Sequence, residues 1–531
     1  MPSNSISFRD TNYFSALICD YLDEKQELGA FYNRFPRVEN FKDQIIEKAK
    51  NFSPEHREVL ENALQDQYKN VDATLKTRNN IISLKSSDTF TITTGHQLNL
   101  FTGPLYFLYK IISTINLTRQ LKTAYPDYNF LPVYWMATED HDFEEINYFN
   151  FKGRKVQWSR DTSGAVGQLD TDGLMHVAEV FSKQLGEHEN AKRLKDLFKK
   201  AYTEFDTLTA STRYLANALF GEYGLVIIDG DDQALKGLFV PYIEKEVTAK
   251  CSFTAVSESN SQIKALDYKV QVNPREINLF YLTDGLRERI VASEGHYSVQ
   301  KTKVSWTENE ILAEINRHPE RFSPNVIMRP LYQEVILPNL CYIGGGGELA
   351  YWLQLKTYFD SVKVTFPILL LRNSVLLTSA KHLEKMQKLD LNVADLFLDQ
   401  QDLISIETKK RSTFSIDFSD QKELLKNQFK ALYDLAGKTD KSFLGAVGAQ
   451  ERKQIKGLEH LEKRLLKAQK KQLAGQLERI MAIQDALFPG QSLQERNMNF
   501  SEFYLEYGDT LIPKLQEALE PLKLSFLVLE L

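Results

Sequence analysis

The chain has 531 residues, too many for one core, so two or three domains are expected. Its 43% hydrophobic and 26% charged residues match ordinary globular usage and argue against a largely disordered chain, and a net charge of −6 offers no basic footprint for nucleic acid. Cys19, Cys251 and Cys341 lie too far apart for a metal motif or a disulfide framework, which fits a reducing cytoplasm; no apolar run reaches the ~18 residues of a membrane span, and the first ten residues lack a signal core.

Residues 1–80 read as mainly helical. Ser53 and Pro54 make a helix start, and good helix formers continue over 55–77. Residues 89–94 alternate as a strand that Gly95 stops. After Gly103-Pro104, residues 105–121 read as an apolar helix, and 130–137 as a short apolar strand. Strand, helix, strand implies a parallel sheet. Residues 150–220 look like an insertion, with a Gly/Asp/Thr-rich passage at 161–173 and two helical stretches after it. A buried strand ending in an acid returns at 224–229, and alternation over 270–305 suggests hairpins or sheet edges. An apolar run at 335–343 leads into Gly344, Gly345, Gly346 and Gly347, a helix starts at Glu348, and 362–371 supply another strand.

Beyond about residue 380 glycine becomes scarce and Leu, Lys, Glu and Gln take over. Apolar residues recur at three and four over 421–435 and 451–487, which predicts a long amphipathic helical pair with coiled-coil character. Gly437 and the segment 445–448 would supply the turns, the heptad slips near Gln472, and Pro489-Gly490 ends the pair. The basic face around Lys463 to Lys471 reads as solvated. The expected domains are therefore a parallel-sheet α/β core over 1–380, a helical domain over 381–505, and a terminal segment over 506–531 that docks back on the core, with a last strand near its end.

Four stretches carry chemistry. Thr94-Gly95-His96-Gln97, with Asn99 and Thr102 following, is a strand end that turns toward a helix and suits a phosphate. His96 there could stabilise charge in a transfer reaction, or simply bond to backbone. Glu139-Asp140-His141-Asp142 sets three carboxylates around one imidazole at a strand end, where open α/β sheets bind ligands. Asp140 or Asp142 could take a proton from an attacking amine or hold Mg²⁺. Either acid could instead cap a helix that begins near Glu144. Zinc is disfavoured, since histidines are few and no cysteine is close. Gly344–Gly347 between a strand and a helix lets a ligand approach the backbone; Glu348, Tyr351 and Trp352 follow. Cys341 just before reads as a small core residue. Finally Arg329 with Gln333, and Arg372 with Asn373 and Ser374, stand at chain punctuation, where arginine suits a carboxylate or phosphate or a structural ion pair with the acids.

Together, Thr-Gly-His-Gln…Phe-Thr-Gly-Pro-Leu-Tyr…Tyr-Lys (94–110), Trp-Met-Ala-Thr-Glu-Asp-His-Asp-Phe-Glu-Glu-Ile-Asn (135–147), Arg-Phe-Ser-Pro-Asn-Val…Arg-Pro-Leu-Tyr-Gln (321–333) and Tyr-Ile-Gly-Gly-Gly-Gly-Glu-Leu-Ala-Tyr-Trp (342–352) resemble the cysteine ligases of bacillithiol biosynthesis, the BshC family. The resemblance covers nearly the whole chain. It implies a Rossmann-like core related to nucleotidylyltransferases and class I aminoacyl-tRNA synthetases, and a coiled-coil domain that drives homodimerisation. It also implies addition of cysteine, through its carboxyl, to the amine of glucosaminyl-malate. ATP is the expected co-substrate, since a carboxylate does not acylate an amine unaided. The family commonly has glutamine where His96 stands and Gly-Gly-Pro-Gly where residues 344–347 lie, so His96 is expected to line a ligand and not to catalyse.

The expected roles follow. The 95–102 and 344–347 loops hold phosphate or adenylate. Asp140, His141 and Asp142 orient and deprotonate the amine. Glu348 binds an ammonium or sugar hydroxyl, and Arg329 and Arg372 meet the malyl carboxylates. The rivals are a nucleotidylyltransferase or metal-assisted hydrolase of another small substrate, and a non-catalytic nucleotide-binding scaffold.

Overall fold

Every residue of the strand Thr89–His96 is buried, which requires partners on both edges and cover on both faces. In the computed structural model, which describes residues 3–293 and 295–531, this strand is the centre of a five-stranded parallel sheet. The spatial order is 368–371, 339–344, 89–96, 129–136, 226–229. From the central strand the chain moves outward on one side through Asn129–Met136 and Val226–Asp229, then returns on the other through Asn339–Gly344 and Ile368–Leu371. The reversal lies between 89–96 and 339–344, and such a switch point opens a crevice at the carboxyl ends of the strands. Register delivers the ends to one edge: Gly344 pairs with Leu371, Ile343 with Thr94, Gly95 with Trp135, and Met136 with Asp229.

The sheet is held by apolar packing that includes Phe90, Ile92, Leu340, Ile343, Ile368 and Leu370, with Leu117 and Leu121 of the helix Tyr106–Ala124. Each such side chain contributes about 1.5–3 kcal/mol by leaving water. Cys341 is part of this core, as expected of it.

Several local readings change. The helix expected over 55–77 is two, Pro54–Gln67 and Leu75–Ser83, because the Thr74 hydroxyl accepts from the Thr77 N–H and starts a new one. The first strand does not stop at Gly95; it runs through His96, and a turn with left-handed Phe101 and Thr102 separates it from the helix. The insertion holds a hairpin, Tyr148–Phe151 with Arg154–Gln157, and three helices, not two. Val335 and Ile336 end the helix Met328–Ile336 and are not part of the strand. The strand expected over 362–371 occupies only Ile368–Leu371, since the helix Lys356–Val362 and then Pro367 precede it. Of the stretch 270–305, strands begin only at Leu279: Leu279–Thr283, Leu286–Ser293, His296–Val299 and Ser305–Thr307 form the expected hairpins, and with Phe322–Pro324 they build a separate five-stranded antiparallel sheet.

The chain divides into two units, 1–377 with 494–531, and 378–493. In the first, Phe526–Glu530 pairs antiparallel with Ser3–Ile6. In the second, Ser419–Ala436 and Lys441–Gln472 form an antiparallel hairpin: Lys422 meets Glu462 while Tyr433 meets Glu451. The turn is at 437–440 alone, where Asp440 caps the second helix; Gly445 and Gly448 sit inside that helix. The helix ends at Gln472, where the heptad slips.

Candidate functional site

The strand ends meet at a cavity of about 720 Å³. Gly95, His96 and Gln97 reach it from the central strand; Glu139, Asp140 and His141 from the turn after 129–136; and Gly345, Gly346, Gly347 and Glu348 from the turn after 339–344. Arg329, Tyr351 and Arg372 complete the expected members. The remaining expected residues lie outside the lining. Thr94 donates its hydroxyl to the Ile343 carbonyl, and Trp352 packs on Tyr342 with ring centroids 4.6 Å apart. Asn99 donates to the Glu145 carbonyl, Thr102 is buried in the left-handed turn, and Gln333 donates to Glu334. Asn373 bonds to Ser113 and to the Glu520 carbonyl, and Ser374 accepts from Arg372. Asp142 caps the short helix Phe143–Ile146 by accepting from the Glu145 N–H, so the capping alternative describes it.

On the glycine side, charge is neutralised inside the protein. Lys110, on the helix Tyr106–Ala124, is buried; its Nζ lies 2.5 Å from Glu348 Oε2 and donates to the Gly95 carbonyl at 2.6 Å. Burial pushes the Lys110 ammonium down from its ordinary value. Glu348 also accepts from the Gly345 N–H and the Tyr342 hydroxyl. Burial works against its ionisation, but Lys110 and these bonds outweigh it and hold the carboxyl below the usual range. Both Glu348 oxygens are thus engaged, and the carboxylate ties the loop to Lys110 while lining the cavity. Arg372 is paired with buried Glu495 at 2.7 Å and lies 4.8 Å over the Tyr106 ring. Its partner is Glu495, not the acidic cluster, and its buried Nε has no partner.

His96 is buried with Nε2 unpartnered, its ring 5.5 Å from Tyr106 and 5.0 Å from Phe107. Burial, reinforced by the Lys110 cation, pushes the imidazole down to about 3, so it is neutral at physiological pH. Glycine is required at 344, where a Cβ would meet Tyr342 and Leu349 at 2.9 Å. At 347 a Cβ would meet nothing within 4 Å, so the protein leaves that space open.

The opposite side is organised by the turn 137–142. Glu139 is tied to buried Lys236, whose Nζ lies 2.7 Å from Glu139 and 2.9 Å from Asp231. Burial works against that ammonium, but the two carboxylates outweigh it and raise it. Asp140 accepts from the Gln97 amide and from the His141 N–H. Burial raises its carboxyl, yet the Gln97 amide, that backbone N–H and the nearby Arg287 cation hold it below the ordinary range. Held ionised, Asp140 can accept a charge-assisted hydrogen bond from an amine or ammonium.

The sequence reading missed the cations facing Asp140. Arg287 and Arg289 alternate on the strand Leu286–Ser293, 4.1 and 6.0 Å over the Phe280 ring, and Arg275 and Arg496 join the lining. With Arg329, which donates to Gln333 and Tyr351, none of these has a carboxylate within 4 Å among the described residues. The i, i+2 spacing of 287 and 289 in a half-polar strand was the available signal. Lys110 stands in the Tyr-Lys pair that closes the 94–110 motif, and its partner Glu348 is too far along the chain for sequence to link them. No group of three or more metal-ligating side chains occurs among the described residues.

Comparison with known proteins gives a consistent result. The N-terminal Rossmann-like domain described as Bacillithiol biosynthesis BshC matches residues 1–373, and the C-terminal coiled-coil domain of the same description matches 375–531. The chain is 58% identical to a protein of Flavobacterium johnsoniae over 99% of both chains, and 57% identical to one of Christiangramia forsetii over 100% of this chain and 99% of that one. A Bacillus cereus protein is 26% identical over 94% of this chain and 95% of its own. All three carry the name cysteine ligase BshC.

Proposed function

The chain belongs to the BshC family of bacillithiol biosynthesis, and from that premise we propose that it is the ligase that joins cysteine to glucosaminyl-malate with ATP in the cytoplasm. The observation that carries this reading is the convergence, in one cavity, of ionised Asp140 with the open glycine turn at 345–347. ATP supplies a leaving group on the cysteine carboxyl. The orphaned Nε of Arg372 and the free space at Gly347 fit a phosphate-bearing group, with any Mg²⁺ arriving on the phosphates. Asp140 orients the acceptor amine by a charge-assisted bond. The acceptor carries its carboxylates on the same molecule, so they fall near Asp140. Arg329, Arg289 and Arg275 are the cations free to meet them, while Arg372 is neutralised by Glu495. We further propose self-association through the helical unit, whose hairpin exposes Leu424, Leu435 and Leu461; sedimentation giving twice the chain mass supports it, and a monomer removes it.

The test is direct. Purified protein with cysteine, glucosaminyl-malate and ATP should yield bacillithiol by mass spectrometry, with AMP or ADP identifying the activation. ATP turnover with no thiol product would favour the nucleotidylyltransferase or hydrolase rival.

A further inference from the structure

His141 faces the cavity with one ring nitrogen already taken. Arg287 places Nη1 2.8 Å from His141 Nδ1, whereas Asp140 Oδ1 is 3.5 Å from the same atom. A guanidinium carries only donors and keeps its protons. The shorter contact therefore needs a lone pair on Nδ1, and the proton of the neutral ring sits on Nε2. Arg287 is itself fixed: Nε donates to Ser323 at 3.2 Å, and the guanidinium lies over Phe280, whose ring is also 5.8 Å from His141. The charged groups in contact with the imidazole are Asp140 from its own turn and Arg287 from the antiparallel sheet, with Arg289 beyond them at the Phe280 ring.

We propose that Arg287 is a positioning residue that makes His141 a hydrogen-bond donor through Nε2–H, aimed at the acyl oxygen of the activated cysteine, and bars it from acting as the base. This rests on the ligase reading of the cavity. In that reaction the acceptor enters as the neutral amine, its nitrogen lone pair bonds to the acyl carbon and the carbonyl electron pair moves onto its oxygen, where the Nε2–H meets the growing charge. The pair then returns, the bond to the phosphate-bearing group breaks with its electrons, and the amine proton leaves with that group. Protonating Nδ1 would break the Arg287 bond and set two cations face to face.

Two measurements decide it. His141→Gln keeps an N–H near the Nε2 position and has no basic nitrogen; His141→Ala keeps neither. The half-exposed side chain makes both variants compatible with folding. Turnover of the Gln variant should stay within about tenfold of the parent, while the Ala variant falls about a hundredfold or more. Equal loss in both overturns the proposal. Independently of activity, nitrogen NMR of histidine-labelled protein, with the His141 signals assigned by their loss in His141→Gln, should show Nδ1 unprotonated and perturbed by Arg287→Met. A protonated Nδ1, bonded to Asp140, overturns it. If the parent protein forms no cysteinyl product from any acceptor, the ligase reading fails, and the NMR result still decides whether Arg287 sets the tautomer.

Discussion

The two walls of the cavity handle charge in opposite ways. On the glycine wall two buried cations have their own carboxylates: Lys110 has Glu348 and Arg372 has Glu495. Beside Asp140, Arg287 has none within 4 Å among the described residues, and neither do Arg275, Arg289, Arg329 and Arg496 elsewhere in the lining. A buried pair is part of the scaffold, because removing one partner strands the other. Cations left without a counter-ion beside an ionised acid are arranged for something that arrives. The glycine wall is therefore built to hold shape and the Asp140 wall to hold substrate.

The contrast predicts different failures. Lys110→Met should be the most destabilising change, about 3 kcal/mol, because Glu348 loses its counter-charge and the 345–347 turn its anchor. Denaturant unfolding measures it; Lys110→Met combined with Glu348→Gln should recover part of the loss, and no loss in the single variant would show the pair to be incidental. His96→Gln should change acid stability. The folded imidazole stays neutral down to about 3, whereas an unfolded histidine protonates near 6.5. Between these values the unfolded chain binds the extra proton, so stability falls as pH drops below about 6.5. Between pH 7 and 5 the parent should lose about 2 kcal/mol more than the variant; identical pH profiles would place His96 elsewhere than in a dry site.

Arg289→Ala should leave the fold and kcat nearly unchanged and raise KM for the malyl acceptor about tenfold, with KM for cysteine unmoved. A matched rise for ATP alone would reassign this arginine to phosphate. Gly347→Leu should have the least effect on stability, since its Cβ meets nothing, yet it should block nucleotide binding; unaltered ATP affinity would reduce the turn to a hinge.

Parallel strands were legible where buried strands write short apolar runs, as at 130–137 and at 224–229, which ends in Asp229. Gly445 and Gly448 misled because glycine reads as a breaker, while a 32-residue helix tolerates it at about 1 kcal/mol each. Half of the site was visible in the strand-end motifs. The other half was not, because Arg287 and Arg289 belong to an inserted sheet distant in sequence, and nothing local says which strand face turns toward the cavity. Glu348 was placed correctly at the cavity, but its role depended on Lys110, more than two hundred residues away in the chain.

The most direct test replaces Asp140 with Asn and follows thiol product by mass spectrometry alongside thermal unfolding. The account predicts that cysteine addition to glucosaminyl-malate falls at least a hundredfold while the melting temperature stays near that of the parent. Parental turnover in that variant would contradict it.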